Sequence, residues 1–139
     1  MANPAPPERQ VAFGESLALF FKNYFNFSGR TGLSGYWWLC LWMLILGVAV
    51  SILDIALGVA GPDQLITPGN AVSVVTLIPS IAIGARRLHD IGRSGWWLLL
   101  YFTIIGAFVI LYWAVRNGER SENDFGPDVE AGKELAELP

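Results

Sequence analysis

Charged residues are scarce in this sequence. Charged residues make up 15% of the 139 residues and hydrophobic residues 53%, whereas soluble domains carry about 25% charged residues. The composition therefore favours a membrane protein. Seven of the twelve acidic residues lie after residue 118, so the body of the chain is basic and its end is acidic. A basic face spread over a soluble surface is missing, which excludes a nucleic-acid partner.

The sequence also has only one cysteine, Cys40, and one histidine, His89. One cysteine cannot form a disulfide within the chain, and these two residues alone cannot build a metal site. We therefore predict no metal and no cofactor. The start of the chain lacks the basic and apolar pattern of a cleavable signal, and residues 1–10 are predicted to be disordered. The first long apolar run, which begins near Tyr36, is then expected to remain as an anchor.

The sequence contains three long apolar runs, over about 36–57, 71–88 and 96–115. A helix of about 20 residues crosses the roughly 30 Å of bilayer hydrocarbon, and only a helix satisfies its own backbone groups there. The middle run contains Pro79, which predicts a kink. The runs predict an all-α membrane protein with three transmembrane helices.

The segment 11–27, which precedes these runs, has the pattern of an amphipathic helix. At 100° per residue, Glu15 and Lys22 fall on one face, and Phe13 and Phe20 fall opposite. This pattern predicts an N-terminal helix that lies in the membrane interface. Packing against the spans is a compatible alternative. The membrane domain is thus predicted over 11–116, followed by a polar acidic tail over 117–139.

The distribution of lysine and arginine predicts the orientation, because these residues collect at cytoplasmic ends of spans. With three spans, five of them fall on the side of the N-terminus and two, Arg116 and Arg120, on the other. The N-terminus is then cytoplasmic and the tail is outside. Paired tryptophans begin the first and third runs, where indole rings sit at the headgroup level. The predicted interfacial anchors are Trp37, Trp38, Trp96 and Trp97.

A cluster of charge lies between the second and third runs. If the second helix continues, Arg86, His89, Asp90 and Arg93 share one face, because their spacing is i, i+3, i+4 and i+7. Three interpretations compete: a structural ion pair, a site for an anion or lipid headgroup, and acid–base catalysis by His89 and Asp90. No nucleophile pattern supports the third, so no catalytic residue is assigned. The candidate anion-binding residues are Arg86, Arg87, His89, Asp90, Arg93 and Arg30.

Three motifs in order resemble a known family. They are RRLHDxGRSGWW over 86–97, FxFxGR over 25–30 followed by Tyr36-Trp37, and NxFGP over 123–127. Together they resemble a bacterial inner-membrane family catalogued as domain of unknown function 805. The resemblance implies an inner-membrane location and no assigned activity.

The leading hypothesis is a non-catalytic, lipid-interacting accessory or scaffold subunit of the bacterial inner membrane. Its expected partners are membrane lipids and a membrane protein complex or a second copy of the chain. One alternative is an oligomeric small transporter or channel component, which would need to oligomerise because three short spans enclose little space. A second alternative is a membrane enzyme that modifies lipid headgroups.

Overall fold

The computed structural model describes residues 11–129, and within that range the chain forms helices and no strands. The order is α1 (Phe13–Lys22), α2 (Leu33–Ala56), α3 (Pro68–Asp90), a 3₁₀ helix (Gly95–Phe102) and α4 (Ile104–Val115). The predicted disorder of residues 1–10 and the last part of the acidic tail, 130–139, lie outside the described residues. The all-helical prediction is confirmed.

Two helices, α2 and α3, are long and apolar enough to cross a membrane. Their 24 and 23 residues correspond to about 35 Å each. The apolar side chains along α2 face outward, and Ile55 is 69% exposed. A core helix of a soluble protein would bury such residues, so the exposure fits a helix that faces lipid. The two helices pack against each other.

The end of α2 and the start of α3 are joined by side-chain capping. The Thr67 hydroxyl accepts a hydrogen bond from the Asn70 amide at 3.0 Å, and Pro68 occupies the first turn of α3. The Asp54 carboxylate accepts from the Gly69 amide at 3.2 and 3.3 Å. Because the first amides of a helix lack partners within it, Asp54 and Thr67 satisfy them. The acid inside the first apolar run therefore has a structural partner.

Pro79 lies inside α3, which continues past it to Asp90. Proline has no N–H, so the carbonyl four residues earlier, that of Val75, lacks its helical donor. The Tyr24 hydroxyl donates to this carbonyl. Tyr24, two residues after the end of α1, thus replaces the hydrogen bond that the proline removes, and Pro79 is buried.

Helix α1 is shorter than the predicted 11–27 and packs against α2. Ser16 and Phe20 are buried, and Phe20 contributes to a core cluster with Leu39 and Ile83. The ring of Phe13 stacks on Trp42 at 4.3 Å between centroids, and the Trp42 indole donates to the Phe13 carbonyl at 2.8 Å. The predicted alternative, packing of this helix against a span, is therefore present.

The predicted third span, 96–115, is not one continuous helix. The 3₁₀ helix ends at Phe102, Thr103 is extended, and α4 begins at Ile104. The ring centroids of Trp97 and Trp113, near the two ends of this segment, lie 5.7 Å apart. The two halves therefore fold back on each other, and residues 95–115 are called the apolar hairpin below.

Local chemistry explains the break. The Thr103 hydroxyl accepts from the Gly106 amide at 3.0 Å and so caps α4, as threonine does at helix N-termini. A side chain at position 106 would clash with the Leu100 carbonyl, so glycine permits the close return. The 12 residues of α4 reach only about 18 Å. The structure therefore does not confirm a third membrane-crossing helix.

Candidate functional site

Three segments that are distant in sequence meet at the end of the molecule where α2 begins and α3 ends. We call this end the basic end. The segments are the chain before α2, the last turns of α3, and the polar segment that follows the apolar hairpin. The Thr31 amide donates to the Arg86 carbonyl at 3.0 Å, and the Glu119 amide donates to the Asp90 carbonyl at 2.8 Å. These two bonds join all three segments.

The centre of the basic end is the carboxylate of Asp90, which is 0% exposed. One of its oxygens accepts from Arg30 Nε at 3.0 Å, and the other accepts from Arg87 Nη1. We call Arg30, Arg87 and Asp90 the Asp90 cluster. Buried charges are tolerated when they are paired and hydrogen-bonded, and this cluster meets both conditions.

Both arginines of the Asp90 cluster also hold the C-terminal segment through its carbonyl groups. Arg30 uses all five of its N–H donors: besides the carboxylate, it donates to the carbonyls of Asp90, Glu119, Ser121 and Gly126. Arg87 donates to the carbonyls of Thr31, Ala114 and Arg116. These guanidinium groups are therefore structural clamps.

The C-terminal segment lies at the same end of the molecule as the chain before α2. The segment from Arg116 to Gly126 is bound directly to Arg30, which precedes α2. The apolar hairpin returns the chain to this end. The side of the membrane on which the tail lies stays a prediction.

His89 is held between the same segments. Its ring stacks on Phe125 at 4.0 Å with an angle of 3° between the planes, and Nδ1 lies 2.9 Å from the Gly29 carbonyl oxygen. Because a carbonyl only accepts, Nδ1 carries the proton. Asn123 donates to the His89 carbonyl at 2.9 Å. The imidazole thus positions the C-terminal segment.

Gly118 allows that segment to approach the Asp90 cluster. A Cβ at position 118 would clash with the carboxylate of Asp90. Since any other residue carries a Cβ, only glycine brings the backbone this close. The next residue, Glu119, then reaches the Asp90 carbonyl with its amide.

Arg86 differs from these residues. It is 7% exposed, and its Nε atom has no hydrogen-bond partner within residues 11–129. Its side chain lines a cavity of about 510 Å³ between α1, the start of α2 and the chain that connects them. Of the six candidate residues, Arg86 is the one whose buried side chain contributes to this cavity without belonging to the Asp90 cluster.

Arg93 lies beyond the end of α3, so it does not share the helical face predicted for it. Its guanidinium lies 4.2 Å from the centroid of the Trp113 ring, a cation–π contact. Trp96, Trp97 and Trp38 are exposed, and the Trp37 indole donates to the Ala114 carbonyl at 3.2 Å. The four predicted anchors therefore all lie at the basic end.

The sequence interpretation missed the partners of the arginines. The acceptors are mostly backbone carbonyls of residues 114–126, which no side-chain pattern reveals. The available signal was the NxFGP motif at 123–127, because Asn123, Phe125 and Gly126 all contact the cluster or His89. Across the described part of the chain, no group of three His, Cys, Asp or Glu residues could hold a metal ion.

Comparison with known proteins agrees with the motif pattern. A family model described as protein of unknown function (DUF805) matches residues 24–127. The chain is 35% identical to the inner membrane protein YhaI of Escherichia coli K12 over 112 residues, which cover 80% of this chain and 92% of YhaI. It is 36% identical to the inner membrane protein YhaH of the same strain over 110 residues, or 77% of this chain and 89% of YhaH.

A further relative, the uncharacterized protein YiiR of the same strain, is 36% identical over 98 residues, which cover 68% of this chain and 60% of YiiR. No solved structure matches the chain. The matched range, 24–127, includes every residue of the Asp90 cluster and both tryptophan pairs, Trp37-Trp38 and Trp96-Trp97. The similarity thus extends over the basic end and both candidate spans.

Proposed function

The chain belongs to the DUF805 family of inner-membrane proteins of unknown function, and we propose that it is a non-catalytic accessory or scaffold subunit that binds lipid headgroups. One observation carries the proposal: all six arginines within residues 11–129, and the four tryptophan anchors, lie at the basic end. Arginine contacts lipid phosphate, and indole rings sit at the headgroup level. Arginine and tryptophan side chains grouped at one end of a small protein hold it at a fixed depth in the bilayer.

The proposed topology has two crossing helices, α2 and α3, and an apolar hairpin that enters the bilayer and returns. The contact between Trp97 and Trp113 supports this, because it keeps both ends of the hairpin at the basic end. Phe102, near the tip, is 88% exposed, and Ile104 and Ile105 beside it are exposed as well. An exposed apolar tip is costly in water and stable in hydrocarbon.

The basic end is proposed to be cytoplasmic, with both termini on that side. The connection between α2 and α3 at the opposite end, residues 57–67, contains no lysine or arginine. The distribution of positive charge is therefore one-sided, as the positive-inside rule requires. Helix α1 is proposed to lie in the interface, which the outward-facing rings of Phe21 and Phe25 support.

Cysteine labelling of intact cells tests this topology. Cys40 is replaced by alanine, and single cysteines are introduced as Gln64→Cys in the α2–α3 connection and Asp124→Cys in the C-terminal segment. An impermeant thiol reagent is expected to label position 64 from outside and position 124 only after the membrane is permeabilised. Labelling of both positions from outside would restore three full spans.

Native mass spectrometry in mild detergent tests the proposed function. The protein is expected to retain phospholipid, and the double variant Arg93→Gln/Trp96→Ser is expected to retain less, because both residues lie at the headgroup level. Asp63→Asn, at the opposite end, is the matched control and should behave as the parent. A monomer that keeps neither lipid nor a partner protein would contradict the proposal.

The same measurement separates the alternatives. A stable ring-like oligomer would favour a transporter or channel component, and the exposed apolar face of α2 argues against a polar path there.

A lipid-modifying enzyme would require His89 to reach a substrate. Its ring is covered by Phe125, and its Nδ1 proton is directed to the Gly29 carbonyl.

A further inference from the structure

We propose that the cavity beside Arg86 is a binding site for one phosphate-like anionic group. The inference deepens the proposed function and rests on it for the source of the anion, a lipid headgroup. It goes beyond general headgroup contact, because it names one cavity and one cation.

The Arg86 side chain is buried without a full set of partners. A buried guanidinium without compensating partners is costly, and buried polar groups in proteins nearly always have a partner. Arg86 is more than nine-tenths buried, its Nε has no partner within residues 11–129, and it makes no ion pair there. An anion in the adjoining cavity would supply that partner.

The start of α2 lines the same cavity. Gly32 is the N-cap and provides no side-chain cap, and the amides of Ser34 and Gly35 have no acceptor within the described chain. The first amides of a helix and its dipole favour a negative charge. Helix α2, with 24 residues, therefore directs its positive end at the position that Arg86 also faces.

The composition and size of the cavity suit an anionic group. Among the described residues that line it there is no aspartate or glutamate, while serine and asparagine side chains provide neutral hydrogen-bond donors. Such donors are carried by Ser28, Ser34 and Asn117, whereas Ser16 already donates to the Phe13 carbonyl and Asn23 and Asn26 each use one N–H within the chain. The volume of about 510 Å³ falls in the range of small-molecule sites. The cavity thus has the charge and donors that an oxyanion requires.

Arg30 also lines the cavity, but it cannot serve the anion. All five of its N–H donors already bind Asp90 and the C-terminal segment. Arg93 lies against Trp113 and does not line the cavity. The site therefore depends on Arg86 and the start of α2.

The experiment measures binding of inorganic phosphate to the full chain in an uncharged detergent, by calorimetry and by thermal unfolding. Phosphate is expected to raise the melting temperature more than chloride at equal ionic strength, since a ligand stabilises the state that binds it. Arg86→Gln is expected to weaken phosphate binding about tenfold or more, the scale of one charged hydrogen bond. Arg86→Lys should recover part of it. Lys22→Gln removes the same charge from an exposed residue outside the cavity, and it should leave phosphate binding unchanged.

A second arm identifies the source of the anion. The protein is placed in nanodiscs of phosphatidylcholine with or without phosphatidylglycerol, and phosphate binding is repeated. Loss of phosphate binding in the phosphatidylglycerol discs supports the site and a lipid headgroup as its occupant. Unchanged phosphate binding supports the site with a soluble anion and counts against the lipid-binding function. Lipid retention without any phosphate effect leaves the proposed function standing and overturns this inference.

Three results would overturn the site itself. The first is a parent protein whose melting temperature responds to phosphate no more than to chloride, which needs no variant. The second is equal binding by the parent and Arg86→Gln. The third is an equal loss in Lys22→Gln, which would indicate a diffuse electrostatic effect.

Discussion

Arg86 and Arg87 are neighbours on α3, carry the same charge and are both buried, yet their surroundings are opposite. Arg87 belongs to the Asp90 cluster and binds a carboxylate and three carbonyl groups. Arg86 faces a cavity, and its Nε has no partner within the described range, 11–129. Consecutive residues on a helix point about 100° apart, so one arginine meets the C-terminal segment and the other meets α1 and the start of α2.

The difference separates a folding role from a binding role within one motif. The cost of removing a charge depends on whether its partners remain buried. For the Asp90 cluster, removal of any member leaves a buried charge or several orphaned carbonyls. For Arg86, substitution by a neutral residue removes a buried positive charge whose Nε has no partner within residues 11–129. The comparison therefore predicts opposite consequences for substitutions at adjacent positions.

The largest effect is expected for Asp90→Ala. It leaves Arg30 and Arg87 buried without their carboxylate, and the loss of one partner of a buried pair costs about 3–5 kcal/mol. Thermal unfolding in detergent should show a strongly lowered melting temperature or little folded protein. Asp124→Asn, on the exposed face of the C-terminal segment, is the control. A stable Asp90→Ala variant would show that the cluster does not hold the fold.

The sharpest test of the comparison is Arg87→Gln beside Arg86→Gln. We expect Arg87→Gln to lower the free energy of unfolding by about 2–4 kcal/mol, because Asp90 and the carbonyls of Ala114 and Arg116 lose donors. Arg86→Gln should change it by less than about 1 kcal/mol, in either direction. Chemical unfolding of both variants in the same detergent, without phosphate, measures the difference. Equal losses would refute the assignment of separate roles.

A smaller effect is expected for Gly118→Ala. The added methyl group clashes with the Asp90 carboxylate, and overpacking of this kind costs about 1–3 kcal/mol. Gly14→Ala is the control, because a Cβ there contacts nothing and alanine favours a helix over glycine by about 1 kcal/mol. Limited proteolysis after Gly118→Ala should cut the C-terminal segment faster than in the parent. Unchanged proteolysis would indicate that the segment does not depend on this approach.

The smallest effect is expected for Phe125→Leu, which removes the ring that stacks on His89. Aromatic pairs contribute about 0.5–1.5 kcal/mol beyond buried area, so the melting temperature should fall slightly. Phosphate binding at the Arg86 cavity should be unaffected, because neither residue lines it. A variant that loses phosphate binding as well would join the two regions that the comparison separates.

Much of the fold was predictable from particular residues. The apolar runs around Leu44 and Val74 predict α2 and α3 because each is long enough for a span and cannot be solvated. The motif at 86–97 contains Arg87 and Asp90, two of the three residues of the Asp90 cluster. The apolar hairpin was not predicted, because Thr103 and Gly106 are common inside spans, and only their packing against Leu100 shows a turn.

The sequence predicted the position of the candidate site, but not which of its residues form ion pairs with one another. The i, i+3, i+4, i+7 spacing suggested that Arg86 and Asp90 share a face, yet the carboxylate pairs with Arg87 and with Arg30, sixty residues earlier. Pairing between distant segments depends on where the chain runs after α3, and helical spacing carries no information on this path. The apolar hairpin brings the C-terminal segment back to the basic end.

The sequence by itself indicated a membrane protein, because two of its helices are long and apolar enough to cross a membrane, and it determined membership of the DUF805 family. The tertiary structure alone decided which arginine is a clamp and which faces a cavity. The physical reason is that a buried guanidinium takes its role from the acceptors around it. For Arg87 those acceptors are brought by a segment nearly thirty residues away, while for Arg86 the described chain brings none.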